Sequence, residues 1–301
     1  MTVPATVPRR RLPLWLKVPL GGGEQFTHLR GLVKGLGLNT VCESARCPNI
    51  GECWSAGTGT FMILGNLCTR GCQYCAVPKG RPEPLDLDEP RRVAEAVKAM
   101  GLRHIVVTSV DRDDVPDGGA SVFAELVRRV HADCPGTRVE LLVPDFRFCK
   151  VDAIAVVMES GPDFLNHNIE TVPRLFPRAR KGGSYGDSLR LLEDCRTRWP
   201  GIPTKSGMML GLGEEDGEVE GVLRDLRRVG VRIVTLGQYL QPGFQYLPVE
   251  RFYTPAEFAA WRERGMEMGF DHVESGPLVR SSYHAERQVA GVGGGAPAPR
   301  T

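Results

Sequence analysis

No stretch of the 301 residues is apolar for long enough to cross a bilayer, so no membrane partner is expected. Neither sign of charge dominates. Lys and Arg number 38 against 36 Asp and Glu, a net charge of +2, and that balance removes the electrostatic case for nucleic acid as a partner. An even, dispersed set of cysteines is also missing. Six of the nine fall in two tight triplets, and an odd, clustered set argues against a disulfide framework and for reduced thiols that hold metal. The cytoplasm, or an organelle matrix, is the expected setting, with Cys134, Cys149 and Cys195 as isolated, buried free thiols. The first 23 residues have no acid and no serine, and Pro13, Lys17 and Pro19 break their apolar patch. They read as an N-terminal arm rather than a secretory signal or transit peptide. Gly291 to Thr301 is Gly, Ala and Pro with little else, which predicts a disordered tail.

What is present is globular, with 42% hydrophobic and 25% charged residues, and the length suits one large α/β barrel or two ordinary domains. Phe26, Leu29, Leu32, Val33 and Leu36 recur at helical spacing before Gly35 and Gly37. Short apolar runs at Phe61 to Leu64, His104 to Val110, Val139 to Val143, Phe164 to Ile169, Thr204 to Leu210 and Ile233 to Leu236 read as strands. Helical patterns lie between them, one starting at Asp88-Glu89-Pro90 and another after Thr254-Pro255. Six βα units in series predict a parallel sheet that curls into an incomplete barrel, and an open doubly wound sheet has the same pattern.

The chain is organised around Cys68-Thr-Arg-Gly-Cys72-Gln-Tyr-Cys75. These thiols are too close for good disulfide geometry, and a structural zinc site would more often close four positions with paired C-x2-C knuckles. A 4Fe-4S cube has four corners, so three cysteines leave one iron open to a ligand that is not cysteine. A second triplet, Cys42, Cys47 and Cys53, lies in a polar loop containing Pro and Gly. Such a loop suits a second cluster better than a core. Asp111 to Asp114 follow a strand, either as a solvated face or as part of a pocket at the strand ends. Arg174, Arg178, Arg180 and Lys181 form a basic set that could steer an acidic carrier protein, or simply a solvated loop.

With Tyr74 before its last cysteine, the first loop resembles the C-x3-C-x-aromatic-C loop of the radical S-adenosylmethionine (SAM) enzymes. The chain as a whole resembles the lipoyl synthase family. The match runs through Trp15-Leu-Lys17, Thr40-Val-Cys42-Glu, Cys47-Pro-Asn-Ile-Gly-Glu-Cys53-Trp54, Thr60-Phe-Met-Ile-Leu-Gly65, Val107-Thr-Ser-Val-Asp-Arg-Asp-Asp114, Asn166-His-Asn-Ile-Glu-Thr171, Gly237-Gln-Tyr-Leu-Gln-Pro242 and Ser275-Gly-Pro-Leu-Val-Arg-Ser-Ser-Tyr-His-Ala285. Gly59 and Ser44 depart from the family's usual alanine and acid without removing a ligand.

The resemblance implies a partial (β/α)6 TIM-like barrel over 59–270. Extensions 1–58 and 271–301 would carry an auxiliary iron-sulfur cluster. It implies two 4Fe-4S clusters and SAM as cofactors. Cys68, Cys72 and Cys75 would hold one cluster, and Cys42, Cys47, Cys53 and a serine the other; that serine is Ser281 or Ser282, with Ser282 favoured by likeness. Tyr74 would lie near the adenine, Asn168 and Glu170 would bind the ribose by similarity to biotin synthase, and Gly211 would let backbone approach the adenine. The implied activity is radical SAM sulfurtransfer, placing two sulfurs at C6 and C8 of a protein-bound octanoyl-lysine. The implied partners are octanoylated lipoyl carrier domains (glycine cleavage H protein, 2-oxoacid dehydrogenase subunits), an electron donor and an iron-sulfur cluster carrier. The competing readings are another two-cluster sulfur inserter, such as a biotin synthase-like or methylthiotransferase-like protein, and a non-catalytic electron carrier. The triplet before the SAM loop and the Ser-Ser-Tyr stretch argue against biotin synthase. A methylthiotransferase would add an RNA-binding domain, and a carrier would close every iron site.

Overall fold

The computed structural model describes residues 11–17, 24–44, 47, 49–55, 60–289 and 292. Most of the expected N-terminal arm, nearly all of the expected tail, Gly59 and the boundary at residue 58 lie outside them.

Eight strands form one sheet in sequence order. They are β1 (Asn39–Thr40), β2 (Thr60–Ile63), β3 (His104–Ser109), β4 (Arg138–Leu142), β5 (Phe164–Asn166), β6 (Thr204–Leu210), β7 (Ile233–Gln238) and β8 (His272–Gly276). From β2 to β8 every pairing is parallel, while β1 runs antiparallel to β2 with Asn39 opposite Met62. Among the described residues no pairing joins the ends of the sheet, so the barrel is open. Strand β8 extends the parallel run beyond the six strands legible in the sequence. Its pattern of His272, Glu274 and Ser275 around Val273 lacks the apolar run that marks a strand covered on both faces.

The helices are α1 (Glu24–Gly35), α2 (Val41–Ser44), α3 (Ile50–Ser55), α4 (Glu89–Met100), α5 (Ala120–Asp133), α6 (Ala153–Glu159), α7 (Phe176–Ala179), α8 (Tyr185–Arg198), α9 (Asp216–Arg228), α10 (Pro255–Glu267) and α11 (Ala285–Gln288). Their ends follow local chemistry. Pro90 sits in the first turn of α4, and Gly101 closes it at φ 60°. Reciprocal capping boxes, Glu215 with Glu218 and Thr254 with Glu257, start α9 and α10. On α9, Val219, Val222, Leu223 and Leu226 form one buried stripe. Each such side chain taken from water contributes about 1.5–3 kcal/mol.

Among the described residues the core divides into two large clusters, one around Phe61, Ile105 and Leu141 and the other around Leu210, Leu236 and Phe258, and a small third one of Phe164, Ile233, Val289 and Val292. Among the described residues no helix is long and apolar enough to cross a membrane. The six expected strands are present, but β5 stops at Asn166 rather than Ile169. Beyond it His167 and Glu170 still donate backbone N–H to the carbonyls of Lys205 and Gly207, so the chain leaves the sheet while staying tethered to β6. All nine cysteines are free, with Cys134 and Cys195 buried and Cys149 only half-buried.

Candidate active site

The C-terminal ends of the parallel strands collect the chemistry. Chain leaving β2 turns through Leu64 at φ 70° and Gly65 at φ 95°. The buried Glu89 carboxylate accepts the Leu64 N–H at 2.7 Å and fixes that exit. Cys68 N then donates to Pro78 O at 2.9 Å and Gly80 N to Cys68 O at 3.1 Å, which closes the cysteine loop on itself. Arg70 anchors the loop to two neighbouring strand ends. Its guanidinium binds both oxygens of Asp113 after β3, both oxygens of Asp145 after β4 (3.1 and 3.4 Å), and Gly182 O at 2.9 Å. A planar fork is the group that can span two carboxylates in this way.

The loop's environment suits thiolate ligands. Cys68 Sγ accepts backbone N–H groups from Arg70 and Asp111, each at 3.4 Å, and such donors stabilise negative sulfur. Burial acts the other way, pushing Cys72 up to about 12 and Cys75 to about 11. A bound metal reverses that balance by taking the proton's place. Among the described residues no three His, Cys, Asp or Glu side chains stand close enough to share a single ion. A four-iron cube asks for ligands set apart, one to a corner.

Around this loop the fold gathers three of the four residues expected to contact SAM. Tyr74 and Glu170 lie within each other's electrostatic reach and share Cys75 and Arg180 as neighbours, and Tyr74 also neighbours Cys72. Burial raises both above their ordinary ranges, against the pull of Arg180. Asn168 stands beside Glu170, its buried Oδ1 has no hydrogen-bond partner, and a Cβ on Gly207 would fall 2.7 Å from that oxygen. Gly211 is placed differently. At φ 108° it follows β6, and its missing Cβ would meet Gln238 Nε2 at 2.2 Å and Arg251 O at 2.5 Å. Its N–H and that of Leu212 donate to Glu214, at 2.5 and 2.9 Å.

Three contributors stand in charged runs, the basic set and the Asp111 to Asp114 run, for which the sequence leaves a solvated reading and a functional one both open. Arg180, grouped with a solvated basic set, is buried and donates to Asn168 O at 2.8 Å. Helix α7, which ends at Ala179 just before it, is only four residues long, too short for a periodic signal. Arg174 is committed to Glu218 and Gly213 O, which leaves the basic set a weaker steering patch than its composition suggests. The Asp111 to Asp114 run is solvated only in part, with Asp113 and Asp114 exposed and Asp111 half-buried. Arg112 is buried, binding Leu64 O, Glu83 O and Asp114. Asp111 lies beside Cys68, where burial raises its carboxyl to about 6 against Arg70 and Arg180.

The second triplet is hung from the same sheet. Strand β1 pairs with β2 and leads directly into α2, which carries Cys42, and Cys47 N donates to Cys42 O at 3.0 Å. Cys53 lies in α3, its N–H bonded to Asn49 O at 2.9 Å. Burial first, and then the neighbouring Cys42 and Cys47 sulfurs, push Cys53 up to about 12. The three thiols therefore lie within electrostatic reach of one another. Asn49 Nδ2 reaches Leu278 O at 2.6 Å, so the segment after β8 folds over the triplet. There Tyr283 N donates to Arg280 O at 2.9 Å, closing a turn with Ser281 and Ser282 at its centre. Ser281 Oγ accepts from Asn168 Nδ2 at 3.3 Å.

Residues 62–226 match the radical SAM superfamily, and residues 3–47 match the N-terminal domain of lipoyl synthase of the radical SAM family. Lipoyl synthase of Rubrobacter xylanophilus is 56% identical over 281 residues, covering 93% of this chain and 87% of that protein. Lipoyl synthase of Nitrosococcus oceani is 53% identical over 289 residues, covering 96% and 89%. The crystal structure of methylornithine synthase superposes with a TM-score of 0.54 at 15% identity, over 84% of this chain and 83% of that one, a likeness of fold.

Proposed function

The chain belongs to the lipoyl synthase family of the radical SAM superfamily, and from that premise we propose how its residues divide the work. It is a radical SAM sulfurtransferase that inserts two sulfur atoms, at C6 and C8, into an octanoyl chain carried on a lysine of a lipoyl carrier protein. The sulfur comes from an auxiliary 4Fe-4S cluster. An unactivated C–H bond offers no acidic proton and no electrophile, so it calls for the radical chemistry that the other cluster and SAM supply when bound.

In our reading Cys68, Cys72 and Cys75 hold the cluster that binds SAM, and Arg70 keeps their loop in place through Asp113 and Asp145. Tyr74, Asn168, Glu170 and Gly211 line the SAM pocket. Arg180 holds the Asn168 backbone and offsets the buried Glu170. Cys42, Cys47, Cys53 and Ser282 hold the auxiliary cluster. Ser282 is preferred because the Ser281 hydroxyl is engaged by Asn168, which leaves its neighbour in the turn as the available oxygen. Residues 1–58 and 271–301 are the extensions that carry this second site against the barrel of 59–270. The carriers are the glycine cleavage H protein or a 2-oxoacid dehydrogenase subunit, and an electron donor and an iron-sulfur cluster carrier complete the cycle. Clustered thiols that hold metal need a reducing setting, which supports a cytoplasmic home.

The observation that carries this reading is the meeting of Tyr74, Glu170 and Arg180 beside Cys72 and Cys75, with Asn168 next to them. Electron paramagnetic resonance of the reduced cluster, titrated with SAM, tests it. The native spectrum shifts on SAM addition, and Asn168→Ala and Glu170→Ala each weaken that response about tenfold, the loss of one well-made hydrogen bond. A spectrum indifferent to SAM would remove the pocket and leave an electron carrier.

A further inference from the structure

Glu52 sits one residue before Cys53, and Tyr283 and His284 directly follow Ser282. These three side chains meet although 231 residues of chain separate Glu52 from Tyr283. The Tyr283 hydroxyl donates to the Glu52 carboxylate and lies 3.2 Å from both oxygens. His284 Nε2 lies 3.1 Å from Glu52 Oε1, and the Tyr283 and His284 ring centroids are 4.2 Å apart. His284 also holds φ at 50°, in the left-handed region, which costs a side chain other than glycine about 1 kcal/mol. A backbone in that state persists where its surroundings over-determine it. Here Glu52 and Gln288, whose Nε2 donates to Tyr283 O at 2.6 Å, supply the constraint.

The arm carrying the serines is thus fastened at two points to the segment carrying Cys47 and Cys53. Asn49 grips Leu278 ahead of the turn, and Glu52 grips Tyr283 and His284 behind it. A ligand held on a tethered arm binds with an effective concentration set by how tightly the arm is held. A serine oxygen is also a harder ligand than the three thiolates and the first expected to let go. We propose that Glu52 is a positioning residue that, through Tyr283 and His284, clasps the serine arm onto the auxiliary cluster and so sets how readily that corner releases its iron. This rests on the reading of Ser282 as a ligand. A cluster that gives up sulfur must come apart during turnover, so a clasp made of partly exposed hydrogen bonds, each weak enough to open, suits the task.

The test counts iron released to a chelator from the reconstituted, reduced full chain in which Cys68, Cys72 and Cys75 are alanine, so that only auxiliary iron is measured. Glu52→Ala is expected to speed release of the first iron about tenfold, and Tyr283→Phe about threefold, on the scale of the net contribution of an ordinary hydrogen bond. Neither is expected to accelerate release further once Ser282→Ala is present. Far-UV circular dichroism matching the parent confirms that the variants are folded, and Glu52→Gln, which keeps the volume and an acceptor oxygen, should recover part of the rate. Release at the parent rate from Glu52→Ala would overturn the clasp while leaving Ser282 in place. Acceleration of equal size with and without Ser282 would mean that Glu52 acts on the fold, and would overturn it too. If Ser282→Ala leaves both the release rate and the Mössbauer spectrum unchanged, the ligand assignment itself fails and the clasp with it.

Discussion

Arg70 shows how much of the site rests on one side chain. It is nearly buried and bridges Asp113 and the fully buried Asp145, so its loss would strand a carboxylate whose other cation, Arg180, stands 4.0 Å away. Arg70→Met is expected to lower the stability of the folded chain by about 3 kcal/mol, read from urea unfolding. Arg70→Lys should recover little, because an ammonium cannot span two carboxylates. Glu89 carries a pH dependence. Burial raises its carboxyl from 4.5 to about 7, Asp86 adds to this, and the Leu64 N–H, Arg92 and Arg112 oppose it. Between these values the folded state keeps a proton that the unfolded chain has released. Stability therefore falls as pH rises from 4.5 to 7, by about 3 kcal/mol in all, and levels off above. Glu89→Gln should flatten that slope in urea midpoints measured from pH 5.5 to 7.5, and an unchanged slope would contradict this account. At this scale the cysteines were legible because their chemistry is written in spacing. Arg180 and Arg112 were not, because a charged run looks the same whether solvent or buried partners receive it.

Among elements, the junction of β7 with the C-terminal arm is the tightest. A Cβ on Gly237 would lie 2.1 Å from Val279 O, and backbone on both sides leaves nothing to yield except the position of the arm. Gly237→Ala is expected to displace the Arg280 to Tyr283 turn, so the purified variant should lose the auxiliary cluster's share of iron yet still cleave SAM. Iron analysis beside a 5′-deoxyadenosine assay checks it. Retention of all the iron would show that the arm tolerates the shift. Six parallel strands and their helices were readable because both-faced burial makes apolar runs and because caps such as Thr254-Pro255 mark helix starts. Strands β1 and β8, and the helices α2, α3, α7 and α11, escaped for a shared reason. Each is two to six residues long or half polar, and tertiary contacts rather than propensity hold it.

At the scale of the whole molecule, an open parallel barrel presents one edge on which strand ends from distant sequence converge. The antiparallel β1 and the arm after β8 bring a second cysteine set to that edge. Asn168 bonds the arm at Ser281 while standing beside Glu170, so one residue links the arm after β8 to the surroundings of the first cysteine loop. The central claim is that the two triplets do different jobs. Its most direct test is reduction of the reconstituted chain with SAM and an octanoyl-lysyl peptide, followed by mass spectrometry for 5′-deoxyadenosine and for sulfur added to the peptide. Cys68→Ala is expected to abolish both products, while Cys42→Ala continues to cleave SAM and adds no sulfur. A Cys42→Ala protein that inserts sulfur at the native level would contradict the account.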